Sequence, residues 1–183
     1  MASAGPAPSG EDGGVPEVRI ATEEDLDPCV HVVLGLPEYF TGDVPDKLRA
    51  DWARCRTWVV AEGATLLGFA MVETRSPEVA EILWAAVDPN RRHGGLGTRL
   101  VREILAALLA QGVTLVEVKT QAESAGYAPY VATRAFWARR GFVHIDTIDP
   151  FPEWGPGNPC AIYVCPLGRA EAATGGGGGA SQQ

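Results

Sequence analysis

The segment VDPNRRHGGLGTRLV, residues 87–101, constrains the fold more than any other part of the sequence. A strand-like residue leads into Asp-Pro, two arginines and three glycines follow, and an apolar run at helical spacing comes next. Glycine weakens a helix interior by about 1 kcal/mol relative to alanine, so its use here indicates that bare backbone is needed. A helix start presents unpaired N–H groups and a positive dipole end, and arginines add charge-assisted contacts. The segment therefore predicts a site for phosphate or pyrophosphate.

Two common phosphate-binding loops do not fit this segment. A Walker loop requires the pattern GxxxxGK[ST], and the sequence contains no such string. A dinucleotide fingerprint lies early in a βαβ unit with an acidic residue about 20 positions later. Here the glycine spacing differs and the loop follows the fourth predicted strand, so neither motif identifies the ligand.

The remaining pattern predicts a mixed domain of the α/β or α+β class with the element order βααβββαβαββ. Residues 80–88 form a nearly continuous apolar run, which is typical of a strand buried on both faces. After the glycines, apolar residues recur at helical period. We expect a disordered leader over 1–16, one domain over 17–168 and a disordered Gly-rich tail over 169–183.

Composition restricts the class of function. The 183 residues carry a formal net charge of −8, which argues against non-specific nucleic-acid binding because that requires a basic surface. No apolar run approaches the ~20 residues that span a bilayer, and the N-terminus lacks the features of a secretory signal. Four cysteines without a CxxC pair and three scattered histidines predict neither a metal site nor a disulfide framework. We therefore expect a cytoplasmic protein without nucleic-acid or membrane partners.

The glycine segment resembles motif A of the GCN5-related N-acetyltransferases, whose pattern is [Q/R]xxGxG[G/A]. Its positions are filled here by Arg92, Gly95, Gly97 and, in the last place, Thr98. The segment AFWARRGF, residues 135–142, is similar to the family's later xFYxxxGF segment, and the order of strands and helices agrees over most of the chain. The resemblance implies a mostly antiparallel central sheet with helices on both faces, and acetyl-CoA as the acyl donor without a metal.

The resemblance also implies which residues bind the cofactor. Backbone amides of the glycine loop would hold the pyrophosphate, and pantetheine would pair with main chain at the end of the preceding strand. His93 replaces a glycine often found in the loop, and its imidazole can add a contact to phosphate. Trp137 can donate its indole N–H, line the cofactor or belong to the core. The predicted cofactor-binding residues are Ala85, Ala86, Val87, Arg92, His93, Gly94, Gly95, Leu96, Gly97, Thr98 and Trp137.

Acetyl transfer to an amine is a direct attack on a thioester, so a base must take the proton of the amine. Glu81 is the first candidate, because AEILWAAV resembles the AEIxxxAV strand of the histone-acetylating branch, where a glutamate serves as base. An acidic residue near the start of an apolar strand is also costly to bury. The alternative is that Glu81 lies at a solvated strand end and has no function. Glu117 and Glu73, on neighbouring predicted strands, are further candidates.

The departing thiolate needs a proton or a hydrogen-bond donor. Many family members place a tyrosine four residues before the glycine of the YxxxGF pattern, but this chain has Trp137 there, and indole cannot protonate a thiolate. Tyr130, at the start of the same predicted helix, is the substitute that we assign as the second catalytic residue. There are three alternatives: Tyr130 has only a packing role, the nearby Tyr127 supplies the proton, or solvent protonates the thiolate.

The acceptor site of this family usually lies between the loop after the first helix and the late β-hairpin. In this chain these are LPEYFTGD, residues 36–43, and DPFPEWGPGNP, residues 149–159. Aromatic residues in loops mark ligand sites, and carboxylates suit a cationic amine. The predicted acceptor-site residues are Glu38, Tyr39, Phe40 and Trp154.

These observations predict an N-acetyltransferase that moves the acetyl group of acetyl-CoA to a primary amine of a small molecule, by direct attack in a ternary complex. The resemblance is also compatible with a homodimer, since dimers are common in the family. Three alternatives remain: the same fold acting on a peptide or protein, a non-catalytic acyl-CoA-binding sensor or regulatory module, and a nucleotide-binding protein that shares only a glycine loop.

Overall fold

Residues 14–91 and 94–168 are described by the computed structural model, and their strands form one sheet in the order β1-β2-β3-β4-β5-β7-β6. The strands are β1 (Glu17–Ile20), β2 (Arg56–Glu62), β3 (Thr65–Ser76), β4 (Val79–Val87), β5 (Leu115–Gln121), β6 (Val143–Ile148) and β7 (Cys160–Pro166). The α-helices of these residues are α1 (Leu26–Leu34), α2 (Val44–Trp52), α3 (Leu96–Ala110) and α4 (Pro129–Ala138). Neighbouring strands are antiparallel except for β4 and β5. The predicted fold class and element order are confirmed.

The apolar run of β4 explains why helices cover both faces of the sheet. Ala80 and Ile82 belong to the core under α3 and α4, whereas Ala86 belongs to the core under α1 and α2. Successive side chains of a strand point to opposite faces, so a strand that is apolar on both sides needs two layers of helix. The side chain of Glu81, between Ala80 and Ile82, therefore points to the face on which α1 and α2 pack.

Strands β4 and β5 separate before either of them ends. Their parallel pairing runs from Val79 opposite Leu115 to Ile82 opposite Val118. Beyond that pair, β4 continues to Val87 and β5 to Gln121 without pairing between them. We call this opening in the sheet the β4–β5 gap. Beyond Ile82, the main-chain groups on this side of β4 do not pair with β5, and an extended ligand can pair with such strand groups.

The gap begins at an irregularity in β4. Met71 of β3 lies opposite Trp84, but the next residue, Val72, lies opposite Ile82. Leu83 is therefore an extra residue on β4, as in a β-bulge, and such a bulge bends the strand and increases its twist. This distortion lies where β4 parts from β5.

The start of α3 requires glycine for two different reasons. Gly95, directly before the helix, has a φ of +74°, in the left-handed region. A β-carbon on Gly97 would lie 3.1 Å from Cε2 and 3.2 Å from Cζ of the Phe136 ring, so glycine lets α3 approach α4 closely. The sequence analysis explained these glycines by phosphate binding alone. The close packing of α3 against α4 is a second reason for glycine at position 97.

Replacing Gly97 by alanine is expected to lower the free energy of unfolding by about 1–3 kcal/mol, because the Phe136 ring has to move. Gly94→Ala is the matched control, since a β-carbon there would meet only the carbonyl oxygen of Arg91, at 3.6 Å. Urea denaturation of both variants measures the difference. Equal stability of the two variants would show that the contact with Phe136 does not limit the packing.

The described helices include none that is both long enough and apolar enough to cross a membrane.

Candidate active site

A row of alternating charges crosses the sheet where the β4–β5 gap begins. Glu73, Glu81 and Glu117 lie opposite one another on β3, β4 and β5. Nε of Arg75 donates to Oε2 of Glu81 at 2.8 Å. Nζ of Lys119 lies 2.9 Å from Oε1 of Glu81 and 2.6 Å from Oε1 of Glu117. Both carboxylate oxygens of Glu81, the predicted base, are therefore engaged by cations.

This charge row compensates the burial of Glu81, whose side chain is 2% exposed. Arg54 and Arg75 both pair with Glu73, so three carboxylates and three cations alternate along the row. A buried carboxylate without such partners would carry a large desolvation penalty. Glu117 is 28% exposed, which makes it the more accessible of the two carboxylates beside the gap.

Lys119 is an ammonium ion within this row. Burial works to lower its pKa, but hydrogen bonds to Glu117 and Glu81 and their negative charges outweigh this effect and raise it. Lys119 therefore stays protonated at neutral pH and keeps the charges of the row balanced. In residues 14–91 and 94–168, no group of three or more His, Cys, Asp or Glu is arranged to hold a metal ion.

Tyr130, the predicted acid, and Tyr39, a predicted acceptor-site residue, are in contact. The hydroxyl of Tyr130 donates to the carbonyl oxygen of Tyr39 at 2.9 Å, and the hydroxyl of Tyr39 donates to that of Pro129 at 3.4 Å. The two rings meet edge to face with centroids 5.4 Å apart. Burial, with added contributions from Tyr127 and Tyr39, raises the pKa of Tyr130 to about 12. In this arrangement Tyr130 joins the loop after α1 to the start of α4.

Replacing Tyr130 by phenylalanine is expected to lower the free energy of unfolding by about 1 kcal/mol, because one hydrogen bond to Tyr39 is lost. We expect kcat for acetyl transfer to change less than about tenfold, since the hydroxyl proton is donated to a carbonyl oxygen. Tyr127→Phe, in the same aromatic cluster, is the control. Initial rates and urea denaturation measure both quantities, and a loss of kcat of about 10²-fold or more at unchanged stability would instead identify Tyr130 as the acid.

The other predicted acceptor-site residues fall into two groups. In the loop after α1, Glu38 is exposed and the Phe40 ring lies 6.3 Å from that of Trp84, the residue after the bulge. Trp154 packs edge-on against Phe151 of its own loop, with centroids 5.1 Å apart. The structure therefore places Phe40 beside the start of the gap, joins Tyr39 to α4 and gives Trp154 a local packing contact.

The loop that carries Trp154 is nevertheless tied to β5. Nδ2 of Asn158 donates to the carbonyl oxygen of Trp154 at 3.1 Å, and Oδ1 of Asn158 accepts from Nε2 of Gln121 at 2.9 Å. Gln121 is the last residue of β5, so this loop is anchored beside the open end of the gap.

The predicted cofactor-binding residues lie along the other end of β4. Ala85, Ala86 and Val87 follow the last β4–β5 pair, and Leu96 to Thr98 form the beginning of α3. A β-carbon on Gly97 would lie 3.6 Å from Cγ2 of Val87, so the end of β4 and the start of α3 are adjacent. Gly94 and Gly95 lead directly into this turn. Arg92 and His93 lie outside the described residues.

Trp137 lies in the core under α3 and α4 and is 6% exposed. Its ring packs edge to face against Phe136 and Phe142, with centroids 5.0 Å apart in each case. This packing by itself explains a large aromatic residue at this position. The contact of Trp137 with the cofactor stays a prediction.

Arg140 is a candidate site residue that the sequence pattern did not indicate. Its Cζ lies 3.4 Å from the centroid of the Phe136 ring, and its Nη1 donates to the carbonyl oxygen of Phe136 at 2.6 Å. Its Nη2 donates to Oγ1 of Thr98, at the start of α3. Arg140 is the second arginine of the segment ARRGF, and this was the only indication in the sequence. Its position beside Thr98 depends on the packing of α4 on α3.

The guanidinium of Arg140 has no carboxylate partner among the described residues, and its Nε is buried without a hydrogen-bond acceptor. Burial, and secondarily the charge of Arg139, lowers its pKa. A cation that is partly desolvated and unpaired beside a helix start favours the approach of an anion.

Comparisons with known proteins agree with this geometry. A model of the Acetyltransferase (GNAT) family matches residues 23–142, and no curated protein matches the chain. A GNAT-family structure from Desulfovibrio desulfuricans superposes with a TM-score of 0.73 at 22% identity, covering 83% of this chain and 99% of that one.

Two further solved structures share the fold. The ribosomal-protein-S18-alanine N-acetyltransferase of Escherichia coli has a TM-score of 0.70 at 18% identity, covering 87% of this chain and 98% of its own. The yncA protein of Salmonella typhimurium, solved with its cofactor acetyl-CoA, has a TM-score of 0.62 at 17% identity, covering 86% and 96%. Because the family model spans well over half of the sequence, the chain belongs to the GNAT family of acetyltransferases.

Proposed function

We propose that this chain transfers the acetyl group of acetyl-CoA to a primary amine of a small molecule, by direct attack in a ternary complex. The observation that carries the proposal is the position of the β4–β5 gap. The gap has the start of α3 and Arg140, which forms no ion pair within residues 14–91 and 94–168, at one end and the carboxylates Glu81 and Glu117 at the other. An acyl donor with a phosphate group at one end and a thioester at the other fits this arrangement.

On this proposal, the pyrophosphate of acetyl-CoA binds at the first turn of α3, where Arg140 adds to the predicted contacts of Arg92 and His93. Pantetheine pairs with the main chain of Ala85 to Val87 and runs back along β4. At about 3.3 Å per residue, the distance along β4 from Val87 to Leu83 is about 13 Å. The thioester would then lie near the bulge. Support comes from the neighbours, since yncA holds acetyl-CoA and the paia N-acetyltransferase of Thermoplasma acidophilum was solved with coenzyme A.

Glu81 is the base in this proposal, and Glu117 is the alternative. The attacking nitrogen must lose a proton before or as it bonds to the thioester carbon, and a carboxylate beside the gap can accept it. Glu81 has two cationic partners, so an acceptor has to exchange with one of them to reach its oxygen. Glu117 has an ion pair only with Lys119 among the described residues and is more exposed. The cleaved C–S bond releases CoA, whose thiolate takes a proton from solvent, because the hydroxyl proton of Tyr130 is donated to the carbonyl oxygen of Tyr39.

Replacing Arg140 by glutamine is expected to raise the Kd for CoA about tenfold or more, because a hydrogen bond to a charged group contributes about 1.5–3 kcal/mol. Arg139→Gln is the matched control, since Arg139 is the adjacent arginine and has none of the contacts of Arg140 with Thr98 and Phe136. Isothermal titration calorimetry measures both. Equal affinities of the two variants for CoA would remove Arg140 from the phosphate site.

A peptide or protein acceptor is the second candidate, because the similar E. coli structure is a ribosomal-protein-S18-alanine N-acetyltransferase. The small-molecule proposal is favoured by the contact of Tyr39 with Tyr130, which joins the loop after α1 to α4, so that this predicted acceptor loop is held against the helix. A cytoplasmic location and a homodimer stay predictions.

The proposed function is tested by measuring thiol release from acetyl-CoA with amino acids, polyamines, aminoglycosides and short peptides as acceptors. The proposal expects turnover with at least one small amine at a higher kcat/KM than with any peptide. Turnover confined to peptides would favour the second candidate. Tight binding of CoA without thiol release from any acceptor would indicate a sensor or regulatory module.

A further inference from the structure

We propose that Lys119 is a positioning residue, whose ammonium group holds the proton-accepting carboxylate of the site ionised and fixed beside the β4–β5 gap. The inference rests on the proposed function, because it concerns the carboxylate that takes the proton of the acceptor amine. It deepens that function by assigning a role to a residue that does not itself react.

The position of Lys119 on β5 is the first part of the case. It directly follows Val118, which forms the last pair with β4, so it is the first β5 residue along the gap. Val118 belongs to the core under α3 and α4, and Lys119 therefore points to the opposite face, as Glu81 does. The ammonium group lies at the point where β4 and β5 separate, which is where the thioester is proposed to bind.

The second part is that Lys119 contacts both candidate bases. Its Nζ lies 2.9 Å from Oε1 of Glu81 and 2.6 Å from Oε1 of Glu117. Arg75, the other cation on Glu81, also pairs with Glu73 and has no ion pair with Glu117 among the described residues. Lys119 therefore acts on the proton acceptor whichever of the two carboxylates takes that role.

The third part is the balance between burial and charge. Burial of a carboxylate raises its pKa, and an opposite charge within about 4–6 Å lowers it by about 1–3 units. Without Lys119, Glu81 would keep Arg75 as its cationic partner, and Glu117 would lose the one ion pair that it has among the described residues. Replacing Lys119 therefore takes from each carboxylate a cation that favours its charged form.

Replacing Lys119 alone leaves the other titratable groups around this cluster chemically unchanged. Those that face this cluster are Glu73 and Arg75 on β3, Asp51 on α2, Arg54 after it, Cys160 on β7 and Glu153 in the β6–β7 loop. A change in titration on replacing Lys119 therefore reports the loss of its charge.

The test is a pH titration of protein labelled with ¹³C-glutamate, in which NMR spectroscopy monitors the Cδ chemical shifts of Glu81 and Glu117. Glu81→Gln and Glu117→Gln assign the signals. In Lys119→Met, the titration midpoint of at least one of these two carboxylates is expected to rise by about one pH unit or more. Lys119→Arg should restore the wild-type midpoints. If the methionine variant does not fold, Lys119→Gln, which is neutral and polar, replaces it.

Lys47→Met is the matched control, because Lys47 is the only other lysine of the sequence and pairs with the exposed Asp43 on the surface. It should leave both midpoints unchanged. Unchanged midpoints in both neutral variants of Lys119 would overturn the inference and leave the proposed function standing.

The activity readout uses acetyl-CoA and the best acceptor from the amine panel, at a series of pH values. The base must be deprotonated, so a higher pKa moves the acidic limb of kcat/KM to higher pH. Lys119→Met should show this movement with the KM for acetyl-CoA unchanged. A uniform loss of rate without movement of the limb would show a structural role only and overturn the inference. If the wild-type protein acetylates no amine, the proposed function fails, and the catalytic role of Lys119 fails with it.

Discussion

Replacing Glu81 by glutamine is expected to lower kcat for acetyl transfer by about 10²–10⁴-fold, the range that a positioned general base contributes. Glutamine has nearly the same shape, and its carbonyl oxygen can still accept from Arg75 or Lys119. It cannot take the proton of the attacking amine. The measurement is the initial rate of thiol release with saturating acetyl-CoA, divided by the concentration of folded protein.

The correction for folded protein matters, because Glu81→Gln removes the carboxylate that Arg75 and Lys119 share, although each cation keeps one other partner, Glu73 and Glu117. Since both cations are partly exposed and still paired, the loss of stability is expected to stay below the cost of about 3–5 kcal/mol for a fully buried pair that loses one member. Glu73→Gln is the matched control, since Glu73 lies in the same charge row but on β3, away from the gap. It should keep kcat within about tenfold of wild type. If Glu117→Gln loses the activity and Glu81→Gln keeps it, the base is Glu117.

Replacing Trp137 by alanine is expected to lower the free energy of unfolding by about 3–5 kcal/mol, the usual cost of truncating a large aromatic residue in a core. The ring is buried and has edge-to-face contacts with both Phe136 and Phe142, which the alanine variant loses together. Urea denaturation monitored by far-UV circular dichroism measures the effect.

Trp137→Phe separates packing from contact with the cofactor. Phenylalanine keeps an aromatic ring in the core, so most of the stability should return, and the Kd for CoA should stay at the wild-type value. If the phenylalanine variant is stable but binds CoA much more weakly, the indole contacts the cofactor as the sequence predicted.

The sequence predicted the sheet and the glycine turn that leads into α3 because the signals there are local. The glycines and the helical period of residues 96–108 lie in one segment, and the apolar run of β4 precedes it directly. The bulge at Leu83 was not predictable, since a continuous apolar run looks the same with or without an extra residue. The place where β4 and β5 separate was missed for the same reason.

The partners of the site residues depend on the order of strands, which periodicity does not give. Arg75 and Lys119 reach Glu81 from β3 and β5, and 38 positions separate Glu81 from Lys119. Tyr130 and Tyr39 are likewise 91 residues apart in sequence. Residue type marked Glu81 and Tyr130 as candidates, but only the packing of distant segments shows that both carboxylate oxygens and the phenol hydroxyl already have partners.

The most direct measurement is a calorimetric titration of the wild-type protein and of Arg140→Gln with CoA, with ATP and NAD as comparison ligands. If the β4–β5 gap and the start of α3 form the acyl-CoA site, the wild-type protein binds one CoA per chain. Arg140→Gln then binds CoA about tenfold or more weakly than the wild-type protein does. The wild-type protein binds ATP and NAD more weakly than it binds CoA. Absence of CoA binding, or binding of ATP or NAD in preference to CoA, would contradict the assignment of the gap as an acetyl-CoA site.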